Sequence, residues 1–131
     1  MDELEEFEAA PGAQSSPELR QHQDISAILI YTTFPSQSEA KKLGRALVES
    51  GLAACVNIFP QMLAIFSWEG KIEEADEAAM IVKAVRAREA EVLAEIKRLH
   101  SYAVPARLVL PVSGGGEDFL RWIAERSEPQ K

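Results

Sequence analysis

The body of the chain, residues 25–126, contains one cysteine, Cys55, and one histidine, His100, whose side chains could bind a metal ion. Cys55 lies in an apolar segment with no adjacent basic residue to favour its thiolate, so we interpret it as a core residue. His100 is the last residue of a predicted helix, where a histidine commonly offsets the helix dipole, and a role as metal ligand is the alternative. One cysteine and one histidine cannot complete a four-ligand zinc site, so carboxylates or neighbouring copies would have to contribute.

Five carboxylates surround a predicted hairpin turn and form a second group that could do chemistry: Glu69, Glu73, Glu74, Asp76 and Glu77. Paired carboxylates bind hard cations or act as acid and base in catalysis. Their spacing differs from that of a calcium-binding loop. We therefore interpret them as a solvated turn that discourages pairing between strand edges.

The remaining candidate motifs do not indicate catalysis. The three glycines at 114–116 precede a predicted helix but lack the spacing and the Lys-Ser/Thr pair of a phosphate-binding loop, which favours a flexible connection. The sequence contains no Ser-His-Asp combination and no cofactor fingerprint, so we expect a protein that is not an enzyme.

The elements that must position these residues follow the order strand, helix, strand, strand, helix, strand, helix, which predicts an α+β fold. The predicted strands are Ile25–Thr33, Leu52–Phe59 resuming as Met62–Trp68 after a break at Pro60, Glu77–Val85 and Arg107–Val112. The first six elements have the βαββαβ order of ferredoxin-like folds. Right-handed crossovers would place both long helices on one face of a four-stranded sheet.

The two long predicted helices have amphipathic spacing. Ala40, Leu43, Leu47 and Val48 are expected to face inward in the first helix, which Ser36 or Ser38 caps and Gly51 ends. The second helix, predicted over Ala87–His100, is expected to bury Leu93, Ile96 and Leu99 and to expose Arg86, Arg88, Glu91, Glu95 and Lys97. A short closing helix is predicted over Glu117–Arg126.

Apolar residues occupy consecutive strand positions and do not alternate cleanly, so the second face of the sheet is also expected to be covered. A single chain has too few helices for this. Copies of the chain could cover the face, which predicts an oligomer.

The charge of the chain is concentrated at one end. Residues 1–24 hold seven acidic residues and one basic residue, and this composition predicts a disordered acidic tail. The domain predicted over residues 25–127 is nearly neutral, so nucleic-acid binding is not expected. The sequence shows no apolar run long enough for membrane insertion and no secretory signal, so we expect a cytoplasmic protein.

Several motifs, taken together and in their order along the chain, resemble those of the CutA family of divalent-cation tolerance proteins. They are Thr33–Pro35, Leu52–Asn57, Trp68–Ile72, Met80–Lys83, His100–Pro105, Leu110–Val112 and Phe119–Ile123. The resemblance covers residues 27–126. It implies a ferredoxin-like homotrimer with an architecture similar to that of the PII signalling proteins, in which long hairpin arms of neighbouring subunits pair.

The resemblance also implies binding of divalent metals, with Cu²⁺ as the first candidate and with no metal required for folding. Positions that carry a cysteine, a second histidine or carboxylates in relatives are Thr32, Leu99, Ala103 and Ala106 here. His100 is the remaining metal-associated residue, and Glu77 is its candidate neighbour. The alternative function is a PII-like small-molecule sensor or scaffold, with Trp68, Lys83 and Tyr102 as candidate residues of clefts between subunits.

Overall fold

The computed structural model describes residues 26–127, and the predicted acidic tail, residues 1–24, lies outside them. In chain order the elements are β1 (Ala27–Phe34), α1 (Gln37–Glu49), β2 (Cys55–Trp68), β3 (Lys71–Val85), a 3₁₀ turn (Arg86–Arg88), α2 (Glu89–Leu99), β4 (Leu108–Pro111) and α3 (Glu117–Ser127). The predicted order of elements is confirmed, and the predicted α+β class with it.

The four strands form one antiparallel sheet in the order β2-β3-β1-β4. β1 and β3 are the two inner strands, and they pair along the whole length of β1, from Ala27 opposite Val85 to Phe34 opposite Ala78. The outer strands β2 and β4 each leave one edge unpaired within this sheet. β2 is the long one, at 14 residues, and it therefore presents the longer free edge.

The main core lies between one face of the sheet and the helices α1 and α2. It contains Ile28, Ile30, Phe34, Ala40, Leu43, Leu47, Met80, Val82, Val92 and Ile96, all buried. The Ser36 hydroxyl accepts the Glu39 N–H at 3.1 Å and so caps α1, as predicted. Gly44 lets α1 approach the sheet closely, since a Cβ there would lie 2.8 Å from Cγ2 of Val56.

Three helical side chains do not lie where the helical spacing predicts them. Val48 and Leu99, expected inside, are 39% and 38% exposed. Arg88, expected outside, is buried because the end of α3 packs over it, and its Nε donates to the Ser127 carbonyl at 3.1 Å. Helical spacing alone could not indicate that α3 would cover this position.

The long hairpin is confirmed, but its predicted turn was too wide. The turn is formed by Glu69 and Gly70 alone, both at positive φ (50° and 80°), as in a type I′ turn. The acidic segment that follows belongs to β3, so these residues are paired with β2 along the arm. The predicted break at Pro60 is confirmed as a register shift between Phe59 and Met62, where β2 has one extra residue.

Among residues 26–127, the second face of the sheet is covered only at one end. There α3 packs Ile123 and Ala124 against Ala27, Ala54 and Val85. Farther along, an apolar groove is open, lined by Leu29, Tyr31, Ile81, Leu108, Val109 and Leu110. On the hairpin arm, Phe66 and Trp68 are exposed on this same side, whereas Leu63, Ile65 and Ile72 are exposed on the other side.

Candidate functional site around His100

His100 lies immediately after α2, where its backbone N–H donates to the Ile96 carbonyl and so ends the helix. Its side chain turns inward and is completely buried. The imidazole stacks on the Phe34 ring with a centroid separation of 4.6 Å and an interplanar angle of 10°. The end of β1 and the end of α2 therefore hold the ring between them.

Both imidazole nitrogens are engaged in hydrogen bonds. Nε2 lies 2.6 Å from the Thr33 carbonyl oxygen, and since a carbonyl can only accept, Nε2 carries the proton. Nδ1 accepts the Tyr102 backbone N–H at 3.0 Å. The two contacts together fix the neutral ring in its Nε2–H tautomer.

The carboxylate of Glu39 lies beside this ring, and that of Glu77 is linked to the site through Tyr102. Glu39 of α1 places Oε2 3.6 Å from His100 Nδ1 and accepts the Ser101 N–H at 3.0 Å. Glu77 of β3 contacts the site through Tyr102, whose hydroxyl donates to its Oε2 at 2.7 Å. Sequence reasoning missed Glu39, because its position in the first turn of a capped helix already has a local explanation.

Tyr102 connects His100 with Glu77. Its ring lies 4.9 Å from the imidazole centroid. Desolvation, followed by the hydrogen bond to Glu77 and the charges of Glu77 and Glu39, raises the pKa of Tyr102 to about 12. The phenol therefore stays protonated and donates to Glu77 across the whole physiological pH range.

These residues do not make a metal site by themselves. Within residues 26–127, no group of three or more His, Cys, Asp or Glu side chains is arranged to hold an ion. Cys55 is half-buried on β2, directly opposite Lys83. Thr32 is fully buried, and its hydroxyl has no hydrogen-bond partner in this part of the chain.

Comparison with known proteins places this arrangement in a family. Residues 28–126 match the model of the CutA1 divalent ion tolerance protein family. The chain belongs to the CutA1 family. It is 50% identical over 99 residues to the divalent-cation tolerance protein CutA of Archaeoglobus fulgidus, which covers 76% of this chain and 96% of the relative.

Solved structures of the CutA1 family agree with the fold. The A. fulgidus protein, described as a periplasmic divalent cation tolerance protein, superposes with a TM-score of 0.75 at 47% identity, covering 78% of this chain and 99% of that one. CutA1 from Oryza sativa superposes with a TM-score of 0.78 at 30% identity, covering 80% and 96%. The α+β fold with its four-stranded antiparallel sheet is therefore that of the CutA1 structures.

The three candidate cleft residues lie apart within one CutA1-type subunit. Trp68 pairs with Lys71 at the tip of the hairpin, whereas Lys83 lies 12 residues along β3, about 40 Å away at strand spacing. The Lys83 ammonium lies 5.2 Å from the centroid of the Phe119 ring. Tyr102 is bound to Glu77, between these ends. The prediction of a small-molecule cleft thus requires residues from more than one copy.

Proposed function

We propose that the chain works as a homotrimer in the tolerance of divalent cations, with Cu²⁺ as the cation it binds and without a catalytic step. The observation that carries the assembly is the open apolar face of the sheet. The strand order β2-β3-β1-β4 is compatible with the ferredoxin-like, PII-like subunit that this proposal assumes.

The open face is unfavourable for an isolated chain. On this face Leu108 is 61% exposed, Phe59 51% and Leu110 47%. Contiguous exposed apolar area is typical of an interaction surface. The free edge of β2 runs beside it, and a long apolar edge strand pairs readily with another strand. Three copies related by a closed rotation would cover both features and leave no open end.

The hairpin arm supports the cation part of the proposal. Between Met62 and Glu77 the arm carries five carboxylates and a single basic residue, Lys71. Such a surface concentrates cations around it, and Cu²⁺ accepts carboxylate and imidazole ligands. His100 and Glu77 are the predicted ligands of the cation. This assignment stays a prediction, and the hydrogen bonds of the His100 ring argue against it.

Light scattering after size-exclusion chromatography tests the assembly. The wild-type mass should be three times 14.5 kDa. Leu108→Glu places a charge in the apolar groove and should give the single-chain mass. Val104→Glu is the matched control, because Val104 is 82% exposed in a loop outside the sheet, and it should remain trimeric. A wild-type mass of one chain would refute the trimer.

Isothermal titration calorimetry with Cu²⁺, and with Zn²⁺ and Mg²⁺ for comparison, tests the cation. We expect saturable Cu²⁺ binding that is tighter than that of Zn²⁺, following the general order of affinities. A trimer without saturable Cu²⁺ binding would retain the assembly and overturn the cation assignment.

We also propose the cytoplasm as the compartment, although the A. fulgidus relative is described as periplasmic, and cell fractionation tests this.

A further inference from the structure

We infer that His100 is a positioning residue, which ties the loop 100–105 to β1, α1 and the base of the hairpin arm, and that the cation is bound elsewhere. The second half of this inference rests on the proposed function. The first half depends only on the contacts of His100.

The ring has no free lone pair to offer a metal. A metal ion lies about 2.0–2.1 Å from a histidine nitrogen and needs an unprotonated one. Nε2 is protonated, and the Thr33 carbonyl lies in the direction from which an ion would approach. Nδ1 is unprotonated but accepts the Tyr102 N–H. Binding through either nitrogen would break a hydrogen bond of a completely buried side chain.

The same contacts explain what the ring does. Nδ1 holds the backbone of Tyr102, and this places the phenol where it reaches Glu77. The adjacent Ser101 N–H is held by Glu39 on α1. Glu77 pairs with Met62, the first pair beyond the register shift in β2. The loop is thus fastened at three elements, one of them at the point where the arm leaves the sheet.

Amide variants separate positioning from metal binding. His100→Asn keeps an acceptor close to the place of Nδ1, and His100→Gln keeps a donor close to the place of Nε2. Neither amide replaces imidazole as a copper ligand. His100→Ala removes both functions. Ser101→Ala is the matched control in the same loop, because Ser101 contacts Glu39 through its backbone N–H.

Thermal unfolding and the alkaline titration of Tyr102, followed by tyrosinate absorbance, measure positioning. We expect His100→Ala to lower the unfolding midpoint by roughly 10 °C, with part of the loss recovered in His100→Asn and His100→Gln. The pKa of Tyr102 should fall towards its ordinary value in His100→Ala, because the loop releases the phenol from its half-buried position. Ser101→Ala should match the wild type in both measurements.

Copper titration of the same variants tests the ligand role. We expect the dissociation constants of the amide variants to stay within about twofold of the wild-type value, since loss of a true ligand costs about tenfold or more. A tenfold loss in folded amide variants would overturn the inference, and so would wild-type midpoints in all three His100 variants. If the wild type binds no Cu²⁺, the cation proposal fails, and the midpoints and the Tyr102 titration still decide the positioning role.

Discussion

Replacement of Tyr102 by Phe removes one hydroxyl and keeps the ring that packs near His100. The hydroxyl donates to a carboxylate oxygen of Glu77 at 2.7 Å. A hydrogen bond to a charged group contributes about 1.5–3 kcal/mol when well shielded. Because both groups are only half-buried and water screens them, we expect Tyr102→Phe to lower the free energy of unfolding by ~1 kcal/mol at neutral pH.

The alkaline pH dependence gives a second magnitude for the same contact. Desolvation and Glu77 raise the pKa of Tyr102 to about 12 from an ordinary 10, which corresponds to at most ~2.7 kcal/mol and to ~1 kcal/mol after solvent screening. Below pH 10 the phenol is protonated in both states, so this stability is complete. Between about pH 10 and 12 the unfolded state loses the proton first, so stability falls as the pH rises.

Urea unfolding of the wild type and Tyr102→Phe at about pH 8 and pH 11 measures both effects. The wild type should be more stable at pH 8 and should lose ~1 kcal/mol more than the variant on going to pH 11. Tyr31→Phe is the control, because the Tyr31 hydroxyl donates to the Met62 sulfur at 3.9 Å, a weak contact. Equal stability at pH 8 together with parallel pH dependences would refute the reasoning.

Three further substitutions test the fold locally. Glu69→Asn should raise the free energy of unfolding by ~0.5 kcal/mol, because Asn tolerates the positive φ of 50° that the turn requires. Thr32→Val should raise it by ~1 kcal/mol, since it replaces a buried hydroxyl that has no partner among residues 26–127 by a methyl group of similar size. Gly44→Ala should lower it by ~1 kcal/mol, because the added Cβ would lie 2.8 Å from Cγ2 of Val56 and the resulting strain exceeds the gain in helix propensity.

Urea unfolding at neutral pH measures all three changes. Gly115→Ala is the control for Gly44→Ala, because its Cβ would meet no atom closer than 3.8 Å, and it should be nearly neutral. A stabilised Gly44→Ala would show that α1 can move away from the sheet at little cost. A lower free energy of unfolding in Thr32→Val would indicate that the hydroxyl has a partner in the assembled protein. An unchanged free energy of unfolding in Glu69→Asn would indicate that the turn is not strained.

The order of elements and the break at Pro60 could be predicted because each has a local cause. Proline lacks the N–H that a strand ladder needs, and its place in an otherwise apolar run indicates a bulge. The acidic residues of the arm were assigned to a turn because Glu and Asp are rare in strands. They lie in β3 because Glu73 and Glu74 pair with Phe66 and Ile65 across the hairpin, and this tertiary pairing outweighs local preference.

The site was predictable only in part, because its contacts join distant segments. His100 could be singled out from its residue type, but its hydrogen bond to Thr33 joins residues 67 positions apart. Glu39 reaches Ser101 over 62 positions, and no local pattern indicates that contact. Arg88 was placed on the wrong side for the same reason, since the Ser127 carbonyl that holds it lies 39 positions away.

The direction of the hairpin arm connects the His100 network with the proposed assembly. The register shift in β2 bends the strand and weakens the ladder at the base of the arm. A paired strand that is weakened there needs another contact to keep a fixed direction, and the Tyr102–Glu77 hydrogen bond lies one residue pair beyond the shift. Loss of this contact should therefore affect the arm more than the sheet, and in the proposed trimer it should weaken association between copies before it unfolds a subunit. Light scattering of Tyr102→Phe over a range of protein concentrations measures this. If the variant dissociates at the same protein concentration as the wild type, the arm is fixed by the sheet alone.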